Sequence, residues 1–106
     1  MLVEILVTKD CPHEDAAVDL VGTVANALDL APRVTVIEIP DLTEAKQRRF
    51  VGSPTIRVEG RDVSPPNNPD ASLSCRLYTT THGLRGVPEE SLVLTALKEA
   101  LDRMTP

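Results

Sequence analysis

The sequence predicts an α/β fold in the order β-α-β-α-β-β-α, with a four-stranded mixed sheet flanked by helices. Short β-branched runs alternate with segments whose apolar residues recur every three or four positions. The connection between the first two runs is a helical crossover, which calls for a parallel pair. The later runs follow one another without a long helix and add an antiparallel portion. At 106 residues, 42% hydrophobic and 25% charged, the chain has the size and composition of one globular domain spanning residues 1–106.

The elements follow in order. Leu2–Val7 is apolar except for Glu4 and reads as a buried strand. After Cys11-Pro12, residues Ala17, Leu20, Val21, Val24, Ala25 and Leu28 make one apolar stripe, with Asp15, Asp19, Thr23, Asn26 and Asp29 between them, as on an amphipathic helix. Pro32 ends the connection, and residues 34–39 form a second β-branched strand. Asp41 and Glu44 have capping-box spacing for a short helix ending near residue 49. Phe50-Val51-Gly52 returns the chain to the core, and Ser53-Pro54 introduces a third strand over residues 55–59, followed by a turn at Gly60-Arg61. Residues 64–74, with Pro65, Pro66 and Pro69, form a loop of unusual length. Residues 75–79 read as the fourth strand and residues 80–86 as a second loop. Pro88 suits the first turn of a last helix with the stripe Val93, Leu97, Ala100, Leu101 and Met104.

Composition narrows the function. Aromatic residues are only 2% (Phe50, Tyr78 and no Trp), so stacking platforms for bases or sugars are nearly absent. A net charge of −5 lacks the basic footprint of a nucleic-acid binder. The first eight residues have neither the length nor the basic leader of a signal peptide, and no stretch is long enough to span a bilayer. The expected location is the cytoplasm, with no membrane partner. In that setting two cysteines point to a thiol, a ligand or core packing rather than a structural disulfide. Two cysteines and two histidines are scattered without paired spacing, so no metal site is expected.

Cys11-Pro12-His13-Glu14 follows a buried strand and opens a helix, and Ser53-Pro54-Thr55 stands at the start of the third strand. This arrangement resembles the thioredoxin-like proteins, and Cys11-Pro12-His13 matches the first three residues of the Cys-Pro-His-Cys motif of the periplasmic disulfide oxidases. The run Val51-Gly52-Ser53-Pro54-Thr55-Ile56-Arg57-Val58 with Gly60-Arg61-Asp62-Val63, then Cys75-Arg76-Leu77-Tyr78, is similar to a group of small bacterial thioredoxin-like proteins. Some members of that group carry an alkylmercury-lyase label. Organomercurial cleavage needs more than one thiol at the metal, and this motif has one. The resemblance implies a cis bond at Ser53-Pro54, with the Ser53 backbone beside the thiol and free to pair with a peptide-like substrate as an added strand. It also implies a fourth strand parallel to the first. That would place Cys75 at the end of the sheet away from Cys11, beyond the roughly 7 Å Cα separation that a disulfide requires.

Glu14 occupies the position of the second motif cysteine, so the dithiol cycle gives way to monothiol chemistry resolved by an external thiol such as glutathione. A free thiol titrates near pH ~8.5, and making its thiolate dominant at neutral pH requires about 2.7 kcal/mol. If Cys11 is the N-cap, Pro12 is N1, His13 N2 and Glu14 N3, and the sulfur faces the unpaired amides of the first turn. The helix dipole supplies about 0.3–1 kcal/mol, and protonated His13 adds to it. Asp10, Glu14 and Asp15 oppose it, so a modest lowering is expected. In this reading Glu14 serves as a cap and His13 is solvated.

The candidate site is therefore Cys11 as nucleophile, with Pro12, His13, Ser53, Pro54, Thr55 and Tyr78 lining the substrate groove. Arg48, Arg49 and Arg57 are solvated or ion-paired, or serve glutathione carboxylates. Three readings fit. The first is thiol–disulfide exchange through Cys11 on glutathione mixed disulfides or a thiol-bearing protein, with glutathione as co-substrate and no other cofactor. The second is a non-enzymatic domain binding a protein, a thiol compound or a thiophilic metal ion. The third is a purely structural homologue, as a monomer or a homodimer.

Overall fold

The computed structural model describes residues 1–104. β1 (Leu2–Val7) lies inside a four-stranded sheet of order β2-β1-β3-β4, with β2 (Arg33–Glu38) parallel to it and β3 (Thr55–Val58) antiparallel. β4 (Arg61–Asp62) closes the sheet as a short antiparallel edge. The β3–β4 connection is the two residues Glu59 and Gly60, both at positive φ (50° and 81°), the combination that matches a tight hairpin to strand twist. The turn is therefore Glu59-Gly60 rather than Gly60-Arg61.

Alternation along β1 divides its side chains between two layers. Val3, Ile5 and Val7 face α1 (Glu14–Ala27) and α3 (Glu90–Met104), packing on Ala17, Val21, Val24, Val93, Leu97 and Ala100. Leu6 belongs to a second cluster with Ile39, Ala45 of α2 (Leu42–Arg48) and Phe50. The Asp41 carboxylate accepts from the Glu44 amide at 2.8 Å, as the spacing predicts; the Glu44 carboxylate, in place of closing the capping box, pairs with Arg48 at 2.8 Å. Arg49 ends α2 in the left-handed region, and the Arg57 guanidinium donates to the carbonyls of Arg48 and Arg49 at 2.7 and 3.0 Å. The strand thus caps the helix that precedes it.

The β-α-β-α-β-β-α order and mixed sheet flanked by helices are those of a thioredoxin-like topology. Several local readings change. The fourth strand of the sheet is β4, not residues 75–79. β5 (Tyr78–Thr80) pairs with β6 (Gly83–Arg85) in a separate hairpin. The strand nearest the expected 34–39 begins one residue earlier and is an edge strand, with Val34 and Val36 exposed. In α3 the stripe stops at Ala100; Leu101 and Met104 are exposed. Pro88 precedes the helix rather than entering its first turn, and the Glu89 carboxylate instead binds the amide and hydroxyl of Thr81 at 3.0 and 2.9 Å. These bonds hold that carboxyl below its usual range and tie the β5–β6 turn to the start of α3. Among the described residues no helix is long and apolar enough to cross a membrane.

Candidate functional site

The C-terminal end of β1 turns sharply, and the turn sets the thiol. The Cys11 amide donates to the Thr8 carbonyl at 3.3 Å, with Asp10 at φ 57°, a conformation that Asp tolerates better than most residues. Cys11 is half-buried against the α1–α3 layer, and Pro12 beside it is exposed. The helix does not begin at Cys11. His13 is the N-cap, with φ −109° and ψ 8°, and Glu14 is the first helical residue. The Glu14 amide turns back to the Cys11 carbonyl at 3.3 Å, and no side chain caps the helix. Cys11 therefore lies two residues ahead of the N-cap, Glu14 is not at the capping position, and the first-turn amides do not open on the sulfur as the sequence suggested. His13 is only partly exposed. A Cβ at Gly86 would overlap its imidazole, so the ring is seated on the backbone between β6 and α3.

Across the sheet end stands the second landmark. The Ser53–Pro54 bond is cis, and the Ser53 hydroxyl accepts from the Thr8 amide at 3.0 Å, joining the proline loop to the turn that carries Cys11. The expected open edge at Ser53 is absent. Its amide donates to the Ser74 carbonyl at 3.0 Å, and its carbonyl accepts from the Arg76 amide at 2.8 Å, so Ser53 and Cys75 face each other in a parallel bridge. The Ser72 amide adds a bond to the Phe50 carbonyl at 3.0 Å. Residues 72–76 form a strap that takes the position expected for an added substrate strand, because the long loop after β4 brings the chain's own backbone there first.

One side chain anchors the strap. Arg76, 9% exposed, pairs with Asp62 at 2.8 Å, donates to the Thr55 hydroxyl at 3.2 Å and to the Ser64 carbonyl, and lies 4.5 Å over the Tyr78 ring. Gly52, at φ 141°, is required beneath it: a Cβ there would approach Arg76 Cβ to 3.0 Å and the Ser74 carbonyl to 3.3 Å. The Tyr78 hydroxyl donates to the Pro54 carbonyl at 2.5 Å. Burial pushes that hydroxyl well above its ordinary value of 10.0, against the opposing pull of Arg76.

Of the groove residues expected from sequence, Ser53, Pro54, Thr55 and Tyr78 are all buried, with their polar groups bonded inside the protein. They build and close the cis-proline loop. Cys11, Pro12 and His13 remain at the surface or partly so. Cys75 is exposed and sits at the Cys11 end of the sheet, not the far end, because residues 74–76 bridge to Ser53 outside the main sheet. Arg48, Arg49 and Arg57 line a different cleft, of about 530 Å³, with Pro66 and Pro69. Among the described residues no group of three or more His, Cys, Asp or Glu side chains has metal-binding geometry.

Sequence reasoning passed over Arg76, Asp62, Gly52 and Gly86. A glycine immediately before Ser-Pro was the one available signal, since a close backbone approach requires such a residue. The arrangement defines a thioredoxin-like architecture carrying one half-buried thiol and one exposed thiol at the same end of the sheet. No protein-family model, no curated protein and no solved structure matches the chain.

Proposed function

We propose that the protein carries out thiol–disulfide exchange through Cys11, acting on a glutathione mixed disulfide or on a thiol of a partner protein. The reading rests on one observation: Cys11 keeps part of its surface at the end of β1, in a turn hydrogen-bonded to the cis-proline loop. A cysteine serving only as core filler has no need of that exposure. The Cys11 thiolate attacks one sulfur of the incoming disulfide in line, forming a mixed disulfide and expelling the other sulfur as a thiolate. The exposed Pro12 limits the backbone beside the sulfur, and His13, two residues on, packs its ring against Gly86. Glu14 stands where a dithiol motif has its second cysteine, so the mixed disulfide must be resolved by a thiol from elsewhere.

The test is a time course of the reduced protein with glutathione disulfide, quenched in acid and read by peptide mass spectrometry. Cys11 is expected to gain glutathione before Cys75, and at least about tenfold faster than the same residue in the chain unfolded in denaturant. Modification of Cys11 no faster than in the unfolded chain would remove the exchange reading and leave a binding or structural domain.

A further inference from the structure

We infer that Cys75 is the resolving thiol for Cys11, a catalytic residue supplied by the strap in place of the cysteine missing from the helix start. The inference rests on the exchange reading and names the group that completes its cycle. Three links join the two thiols: the Cys11 amide to the Thr8 carbonyl, the Thr8 amide to the Ser53 hydroxyl, and the Ser53–Cys75 bridge. Residues facing each other in such a bridge lie about 4.8 Å apart and project their side chains to the same face. The Ser53 side chain points to the Thr8 turn, since its oxygen accepts the Thr8 amide; the Cys75 side chain is directed to that face too. The neighbouring pair supports the alternation independently. A Cβ on Gly52 would meet the Arg76 side chain, and Arg76 runs down the opposite face to Asp62 and Thr55. Arg76 thus pins the strap from one face and leaves the exposed Cys75 on the other, the face of Ser53 and the Thr8 turn that leads to Cys11.

The chemistry balances with glutathione disulfide as oxidant. The Cys11 thiolate forms a sulfur–sulfur bond to one glutathione and expels the second as a thiolate. The Cys75 thiolate then attacks the Cys11 sulfur, forming the Cys11–Cys75 disulfide and releasing the first glutathione. Two protein thiols are oxidised, one glutathione disulfide becomes two glutathione thiols, and the protons lost by the cysteines pass through solvent to the released thiolates. Bridging requires the two Cα atoms within about 7 Å, so forming the disulfide calls for a shift of residues 73–75 that gives up the Ser53–Ser74 bond while the Arg76 guanidinium keeps its hold on Asp62.

The experiment compares the full-length protein with Cys75→Ser and Cys11→Ser after a pulse of glutathione disulfide and removal of free glutathione. In the unaltered protein the adduct on Cys11 is expected to disappear, leaving an intramolecular Cys11–Cys75 disulfide in a monomeric chain. In Cys75→Ser the Cys11 adduct forms and persists. In Cys11→Ser no internal disulfide appears. An adduct on Cys11 equally persistent in the unaltered protein, or a disulfide joining two chains, would overturn the resolving role and leave the exchange reading standing. Absence of any Cys11 adduct in Cys75→Ser would overturn both.

Discussion

The segment from β1 to β2 and the strap between β4 and β5 are secured by different forces. In the first, burial falls on Val3, Ile5, Val7, Ala17, Val21 and Val24, residues that a period of two or of three to four places on one face. Across residues 63–77 only Val63 and Arg76 are buried, and the segment is held by backbone bonds and one guanidinium. The body is a solvent-exclusion structure with many small contributions. The strap is a polar clasp in which a single arginine bonds to Asp62, Thr55 and Ser64 at once. A clasp of that kind is cheap in apolar surface and vulnerable at one residue, which suits a segment carrying an exposed thiol over the cis-proline.

The largest effect should come from the apolar cluster beneath α2, which buries its residues by the same solvent exclusion as the body. Phe50 is fully buried, and Phe50→Ala is expected to cost about 4 kcal/mol, lowering every structural probe together in a urea melt. Separate transitions for α2 and for the rest of the sheet would contradict a coupling of the two clusters through β1. Arg76→Met should cost about 3 kcal/mol, because Asp62 is left nearly buried without its cation. Its signature is local: limited proteolysis should cut within residues 63–77 of the folded variant, whereas cleavage spread evenly over the chain would deny the clasp. Tyr78→Phe should have the smallest effect, about 1–2 kcal/mol, from a Pro54 carbonyl left buried without its donor. It also carries a pH signature. The folded state holds the Tyr78 proton more tightly than the unfolded chain, so this contribution is complete below pH 10.0 and is lost as pH rises above it. Stability measured from neutral to alkaline pH should fall less steeply in Tyr78→Phe than in the unaltered protein; parallel curves would contradict the assignment.

The same contrast explains what could be read from sequence. Periodicity located β1, α1 and the cap at Asp41 because those features are written in neighbouring residues. The cis bond at Ser53-Pro54 came from the resemblance, since X-Pro is cis in only about 5–6% of folded cases. The strap was not legible: its bonds join residues about twenty positions apart through backbone groups that every residue has. From local pattern Cys75-Arg76-Leu77-Tyr78 therefore reads as a sheet strand, whereas the strap carries Cys75 to the Ser53 end. The start of α1 at Glu14 was equally illegible, since the contact of His13 with Gly86 joins residues more than seventy positions apart.

Closure of the cis-proline loop by the chain's own residues 72–76 is the claim on which the placement of both thiols depends. Amide hydrogen exchange of the reduced protein measures it directly at Ser53, Ser72 and Arg76, the three donors of the clasp. All three amides should be protected well beyond unstructured-chain rates, and Arg76→Met should abolish that protection at Ser72 and Arg76 while β1 retains its own. Exchange at Ser53 and Arg76 as fast as in a free peptide would show an open edge and return Cys75 to an unassigned surface thiol.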